Sequence, residues 1–216
     1  MKKLFLFLIC FLVSPVFAQN AIPFCTSMAT RVTVRTRPGN PQYISQYSRE
    51  DFLRKADSKY SPYTLGLTLV KPEVTVSVKP ELKELLGQIC VGLSNVEIEM
   101  GYPSMTVYID KKYPPSSCEY RTIKEHEDYH VNVAQQALTF FRPDVERVAS
   151  QAIAELAPKI VYSRSEVMAE VNKFAAKINS ALKPLVRHIK TKLEEKNAAI
   201  DTQEMYHATT AVCQNW

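Results

Sequence analysis

Histidine is nearly absent from this chain, with four residues in 216. Any arrangement that spends two of them at a fixed spacing is therefore informative. There is no C-x-x-C pair, which argues against a cysteine-built zinc site. No second long apolar run follows the one at the N-terminus, so the sequence offers no membrane span beyond it. Internal repeats and low-complexity tracts are also missing, which excludes solenoid architectures and long disordered segments. The formal charge is only +5 and is mixed in sign. The most basic stretch, Arg187-His188-Ile189-Lys190-Thr191-Lys192, runs straight into Glu194 and Glu195. It reads as a solvated helix face rather than a phosphate-binding patch, and no nucleic-acid partner is expected.

Two of the four histidines stand in His126-Glu127-Asp128-Tyr129-His130, an H-E-x-x-H pattern. Residues at i and i+4 lie one turn apart on one helix face, so both rings can reach one metal ion. The Glu directly after the first His places a carboxylate where it can take a proton from a water. Two imidazoles beside a catalytic carboxylate suit zinc, which takes nitrogen and oxygen ligands with one position open. The surrounding pattern is helical. Ser116 or Ser117 can cap the start, and Glu119 falls near the first turn. Tyr120, Ile123, His126, His130, Ala134, Ala137, Leu138 and Phe141 form an apolar stripe at helical spacing that includes both His. Arg142-Pro143-Asp144 is expected to end it.

The N-terminus reads as an export signal over residues 1–18. Lys2 and Lys3 form a basic start, Leu4 to Val13 an apolar run, and Val16-Phe17-Ala18 a cleavage site. The expected mature chain begins at Gln19 with a charge of +3 once Lys2 and Lys3 are gone from the +5. No Cys follows the cleavage site, so no lipid anchor and no stable membrane insertion is expected, and the protein should be periplasmic or secreted. Losing the signal also removes Cys10. Cys25, Cys90, Cys118 and Cys213 remain, and an even number in an exported chain reads as two disulfides. Three pairings are open. Cys118 with Cys213 would tie the tail to the motif helix and leave Cys25 with Cys90.

Residues 19–216 suit one α+β domain, strand-rich over 19–115 and helical over 116–216. The N-terminal strands are expected to be antiparallel. Arg31 to Thr36 alternates as a strand, and Pro38-Gly39-Asn40-Pro41 turns the chain. Ser48 and Asp51 start a short helix. Leu65 to Val70 and Glu73 to Val78 read as strands, and Pro80 opens a helical piece toward Leu86. Val96 to Met100 and Met105 to Ile109 alternate around Gly101-Tyr102-Pro103-Ser104, a four-residue β-hairpin signal with Glu97 and Glu99 on its polar side. After the motif helix, Asp144 to Leu156 reads as a second helix. A third begins at Ser163 or Ser165, with Val167, Val171, Phe174, Ile178, Leu182, Leu185, Ile189 and Leu193 as its core stripe and Pro184 kinking or splitting it. A last short helix is expected near Asp201.

Strands followed by a helix bearing H-E-x-x-H resemble the zincin metallopeptidases. The wider outline, with a Cys before the motif and a Cys-bearing tail, is similar to small secreted bacterial H-E-x-x-H proteins. The zincin resemblance implies zinc on His126 and His130, Glu127 as general base, and an edge strand that pairs with an extended peptide or protein substrate. It implies a third ligand of another origin, since no third His follows at short spacing. A later carboxylate is the better template. Glu166 with Glu170 is one candidate pair, and the tail Asp201-Thr202-Gln203-Glu204-Met205-Tyr206-His207 is the other, with Glu204 preferred. Tyr206 or His207 could polarise a substrate carbonyl.

The expected function is thus an exported zinc-dependent hydrolase, a metallopeptidase. The alternative is a non-enzymatic envelope module that binds or inhibits and keeps the metal site for structure. Charged Lys124 and Asp128, and Asn132 where an apolar residue is usual, favour the alternative. Asp128 is expected to pair with Lys124 across one turn.

Overall fold

The computed structural model describes residues 23–26, 28–55 and 64–216. The export signal over 1–18 lies outside them. Among the described residues no helix is long and apolar enough to cross a membrane. The architecture is α+β, strands first and helices after. Strands β1 (Arg31–Arg37), β2 (Pro41–Ile44), β3 (Gly66–Val70), β4 (Glu73–Leu85), β5 (Gln88–Gly101), β6 (Met105–Ile109) and β7 (Lys159–Val161) are joined by helices α1 (Arg49–Lys55), α2 (Cys118–Ala154), α3 (Arg164–Ile200) and α4 (Gln203–Thr210). The strands form two sheets. One runs β1-β5-β4 with β7 also on β5, and the other runs β2-β6-β3.

The hairpin expected around Gly101-Tyr102-Pro103-Ser104 is not there, because β5 and β6 belong to different sheets. The expected antiparallel pairing holds for β4 with β5 and β3 with β6. But β1 and β5 run parallel, β2 and β6 run parallel, and these two pairs pass from one sheet to the next together. The crossing is fixed by close backbone approach. Tyr102 N donates to Arg37 O at 3.0 Å. A Cβ on Gly101 would lie 2.2 Å from Arg37 O, and one on Gly39 (φ 71°) would lie 2.6 Å from Tyr102 O, so only glycine serves at either place. Tyr102 is fully buried, and its hydroxyl donates to the Ala134 carbonyl of α2 at 2.8 Å. Burial pushes that phenol up to about 12, and it stays a donor. The corner is thereby pinned to the motif helix.

The hairpin that does form joins β4 to β5. No helical piece opens at Pro80, for β4 continues through it to Leu85, with a register shift between Lys79 and Pro80. β4 is at the end of its sheet's order, and an edge strand with a bulge tolerates a residue lacking an N–H. Glu97 and Glu99 do lie on a polar face, where Arg35 and Arg37 of β1 meet them.

The helix end expected at Pro143 is absent, and Pro184 does not split its helix. α2 passes through Pro143 and α3 through Pro184. The apolar stripe of α2 runs up to the proline at Phe141 and continues on its far side as Val145 and Ala149, all buried. Thr139, whose carbonyl Pro143 cannot bond, is exposed and can turn to water. In α3, buried Ile178 and Leu182 before the proline and Ile189 and Leu193 after it keep the same face against the core. Packing of one continuous apolar face outweighs the local penalty of about 3 kcal/mol. Ser163 starts α3 with a capping box to Glu166, and Ser48 with Asp51 does the same for α1. Disulfides join Cys25 to Cys90 and Cys118 to Cys213.

Candidate metal centre

The site is built where α2 meets the end of α3. Ser117 caps α2, accepting from Tyr120 N at 3.0 Å, and the buried stripe of Ile123, Ala134 and Leu138 turns His126 and His130 inward with it. Both are buried, at 6% and 5% exposure. Their Nε2 atoms are 3.3 Å apart. The third member is Asp201, the residue that closes α3, whose Oδ1 lies 3.1 Å from each Nε2. His126, His130 and Asp201 together could hold a metal ion.

The donor set fits a small tetrahedral cation. Zinc bonds of about 2.0–2.1 Å set the edges of such a tetrahedron near 3.3–3.4 Å, close to the 3.3, 3.1 and 3.1 Å found here. His130 Nδ1 donates to Asn197 Oδ1 at 3.1 Å, which leaves the Nε2 lone pair facing the centre. Three atoms rich in lone pairs thus face one another, an arrangement that needs a cation or a proton at its middle. The protein's electrostatics agree. Burial works against charge on His130, but Asp201, Glu127 and Asn197 together raise its pKa. Burial works against the Asp201 carboxylate too, yet its bonds to His126 and His130 hold it well below the usual range. A proton and a metal therefore compete for one place, and metal binding should weaken as the solution is acidified.

Glu127 faces the sheet rather than α3. It is 3% exposed, and Thr68 Oγ1 of β3 donates to its Oε2 at 2.7 Å. Gly66, two residues along the same strand, lets the carboxylate in, because a Cβ there would lie 2.7 Å from Oε1. Burial raises the pKa of Glu127, while His130, Thr68 and His126 pull it back. Tyr206 of α4 lays its ring 5.4 Å from that of His126 and donates its hydroxyl to Asp201 Oδ1 at 3.0 Å. Burial, with Asp201 beside it, raises the phenol well above its ordinary value, so it remains a donor.

Of the residues singled out in the sequence, His126, Glu127, His130, Asp201 and Tyr206 come together. Glu204 does not. It is exposed in the first turn of α4, and the carboxylate that reaches the histidines is Asp201, three residues earlier at the join of α3 and α4. Glu166 is used up capping α3, accepting from Tyr162 N and Ser163 N. Glu170 pairs with Lys173, and His207 is exposed beside Gln203. Lys124 and Asp128 pair at 2.7 Å as expected, and Tyr43 of β2 also donates to Asp128. Asn197, Thr68 and Gly66 were not foreseen. Asn197 and Asp201 stand at i and i+4, the spacing of the histidines themselves, and that repeat was the available signal.

Asn197 is a positioning residue for His130. Asn197→Ala should weaken metal binding about 10- to 100-fold, measured by competition with a chromophoric chelator, while leaving the far-ultraviolet spectrum unchanged. Unaltered affinity would show that the Asn197–His130 bond does not tune the centre.

Comparison of the chain with protein-family models, with curated proteins and with solved structures gives no match.

Proposed function

We propose that this protein is an exported, zinc-dependent hydrolase that cleaves peptide bonds. The observation that carries the reading is the convergence of His126, His130 and Asp201 on one point, with buried Glu127 on the same helix as the two histidines. A purely structural zinc site closes with four protein ligands and has no use for that carboxylate. Zinc held by His126, His130 and Asp201 would polarise a substrate carbonyl and bring the pKa of a bound water down to about 7.

The remaining work falls to the chain. Glu127, its basicity raised by burial, accepts a proton from the attacking water and returns it to the leaving amine. Thr68 holds the carboxylate in place through that exchange. Tyr206, kept protonated, can turn its hydroxyl from Asp201 to the oxyanion that forms. β3 ends the order of its sheet among the described residues and carries both Gly66 and Thr68. An extended peptide pairing along it would lie beside Glu127. Two disulfides suit an oxidising compartment, in keeping with export.

One observation favours a second reading, an envelope binding module with a closed metal site. Glu127 and both histidines are buried, and Asp201 alone of the group reaches solvent, with its side chain 37% exposed. Metal analysis and turnover separate the two. The purified chain should hold about one zinc per molecule, and His126→Ala with His130→Ala should hold none. Equal zinc in both proteins would remove the foundation of either reading. Zinc without chelator-sensitive cleavage in a broad peptide library would select the second.

A further inference from the structure

The turn that joins β4 to β5 has a sequence that works against its own geometry. Leu86 has φ 50° and Gly87 φ 77°. Positive φ at both central residues gives the tight hairpin turn whose twist matches its strands, and Asn, Asp or Gly ordinarily fills the first place. Leu86 is the only non-glycine residue with positive φ among those described. A leucine there presses its Cβ toward the following carbonyl, a cost that Asn or Gly largely avoids. Packing does not hold it in place, since Leu86 is 94% exposed. Leu85 and Leu82 on the same hairpin are 48% and 37% exposed, and Tyr162, 72% exposed, shares a surface hollow with Leu85 and Leu86. A strained, solvated leucine at the head of an apolar cluster gives the folded chain nothing, and both features mark surfaces that meet a partner.

We propose that this tip is a membrane-docking element that inserts Leu86 and Leu85 into the acyl boundary of a lipid surface. The size of the cluster favours lipid over protein. A stable protein interface takes about 800 Å² from each partner, more than two leucines and one tyrosine supply, whereas the same point can make a weak, reversible contact with a bilayer interface. Tyrosine is at home at headgroup level, where an apolar ring and a polar tip are both satisfied. The nearby carboxylates do not oppose approach, for Glu81 is matched by Lys83 and Glu84 by Arg164. Open space surrounds the turn at Gly87, where an added Cβ would meet nothing within 4 Å.

The fold gives this docking a direction. The Glu84–Arg164 pair fixes the hairpin tip to the start of α3, and Asp201 of the metal centre closes the other end of that helix. Thirty-seven residues of α3, at 1.5 Å each, span roughly 55 Å. A chain seated on a membrane by Leu86 would hold its metal centre about a helix length from the docked tip. The docking does not depend on what that centre does.

The test uses the chain purified after export, with its N-terminus read by mass spectrometry, and vesicles of phosphatidylcholine alone or mixed with phosphatidylglycerol. The protein should co-sediment with both. Leu86→Asn should lower the partition coefficient about ten- to a hundredfold while leaving Tm equal or higher, since Asn suits the turn. Leu86→Trp should show a blue-shifted emission component on adding vesicles. If wild type stays in the supernatant with both lipids, the proposal is wrong. It is equally wrong if Leu86→Asn binds as wild type does, or if binding needs phosphatidylglycerol and ignores residue 86.

Discussion

Glu127→Gln should keep its metal and lose between about two and four powers of ten in turnover, the usual cost of removing a general base. The amide is nearly isosteric, and the cradle is tight enough to hold it. Gly66 leaves just the room that the side chain needs, and Thr68 can go on donating to its oxygen. His126, His130 and Asp201 are untouched, so metal content should not change. What the amide cannot do is take a proton from water at neutral pH. A chelator-sensitive peptide cleavage must first be established with wild type, and the comparison then made at saturating zinc. A variant that cleaves as fast as wild type would show that Glu127 is buried for structure alone. The same substitution carries a second readout. Burial raises the pKa of Glu127, so in metal-free protein its charge is least favourable above that raised pKa. Gln should therefore be better tolerated at neutral than at acid pH, as seen in Tm measured at both.

The helical half and its site were largely legible in the sequence, and the reason is periodicity. The stripe that includes His126 and His130 and the long stripe of α3 each repeat often enough to specify a face, so both helices follow from local pattern, while the cysteine count gives two disulfides and the fold chooses among the three pairings. The errors arose where local signals were outvoted by long-range packing. Pro143 and Pro184 look like breaks, but the stripes continue beyond them and the buried face carries the helix through. Gly101-Tyr102-Pro103-Ser104 looks like a hairpin turn, yet β1 and β2 supply parallel partners from sixty residues upstream, which no window around residue 101 can reveal. Leu86-Gly87 was missed as a turn because Leu is an improbable first residue for it. The third ligand shows the same limit. Sequence alone prefers Glu204 over Asp201 in a tail of unknown course, and the point where α3 ends puts Asp201 at the histidines instead.

One covalent bond ties that tail to α2, and cutting it should be the most damaging change outside the metal centre. Cys118→Ala with Cys213→Ala opens a loop of sequence separation 95, worth roughly 4 to 5 kcal/mol in the chain-entropy account. For a domain of this size the expected fall in Tm is roughly 10 to 18 °C. Stability alone would not single out this bridge, because Cys25–Cys90 closes a separation of 65 and should be worth about 4 kcal/mol on the same account. Metal affinity should tell them apart. Cys118 opens α2 two turns before His126, and Cys213 follows α4, which carries Tyr206 against His126 and Asp201. Weaker contacts back the bond, with Asn215 N donating to Glu119 at 3.3 Å, Trp216 Nε1 donating to Cys213 O at 2.9 Å, and the indole set edge-on to Tyr113. The tail should therefore loosen rather than leave, and zinc affinity should drop by about tenfold or more, the scale seen when groups supporting a metal ligand are lost. Removing Cys25 and Cys90 should destabilise the protein and leave affinity unchanged at temperatures where both variants remain folded. Equal affinities in the two variants would mean that α3 alone places Asp201, and that the bridge serves stability without serving the metal centre.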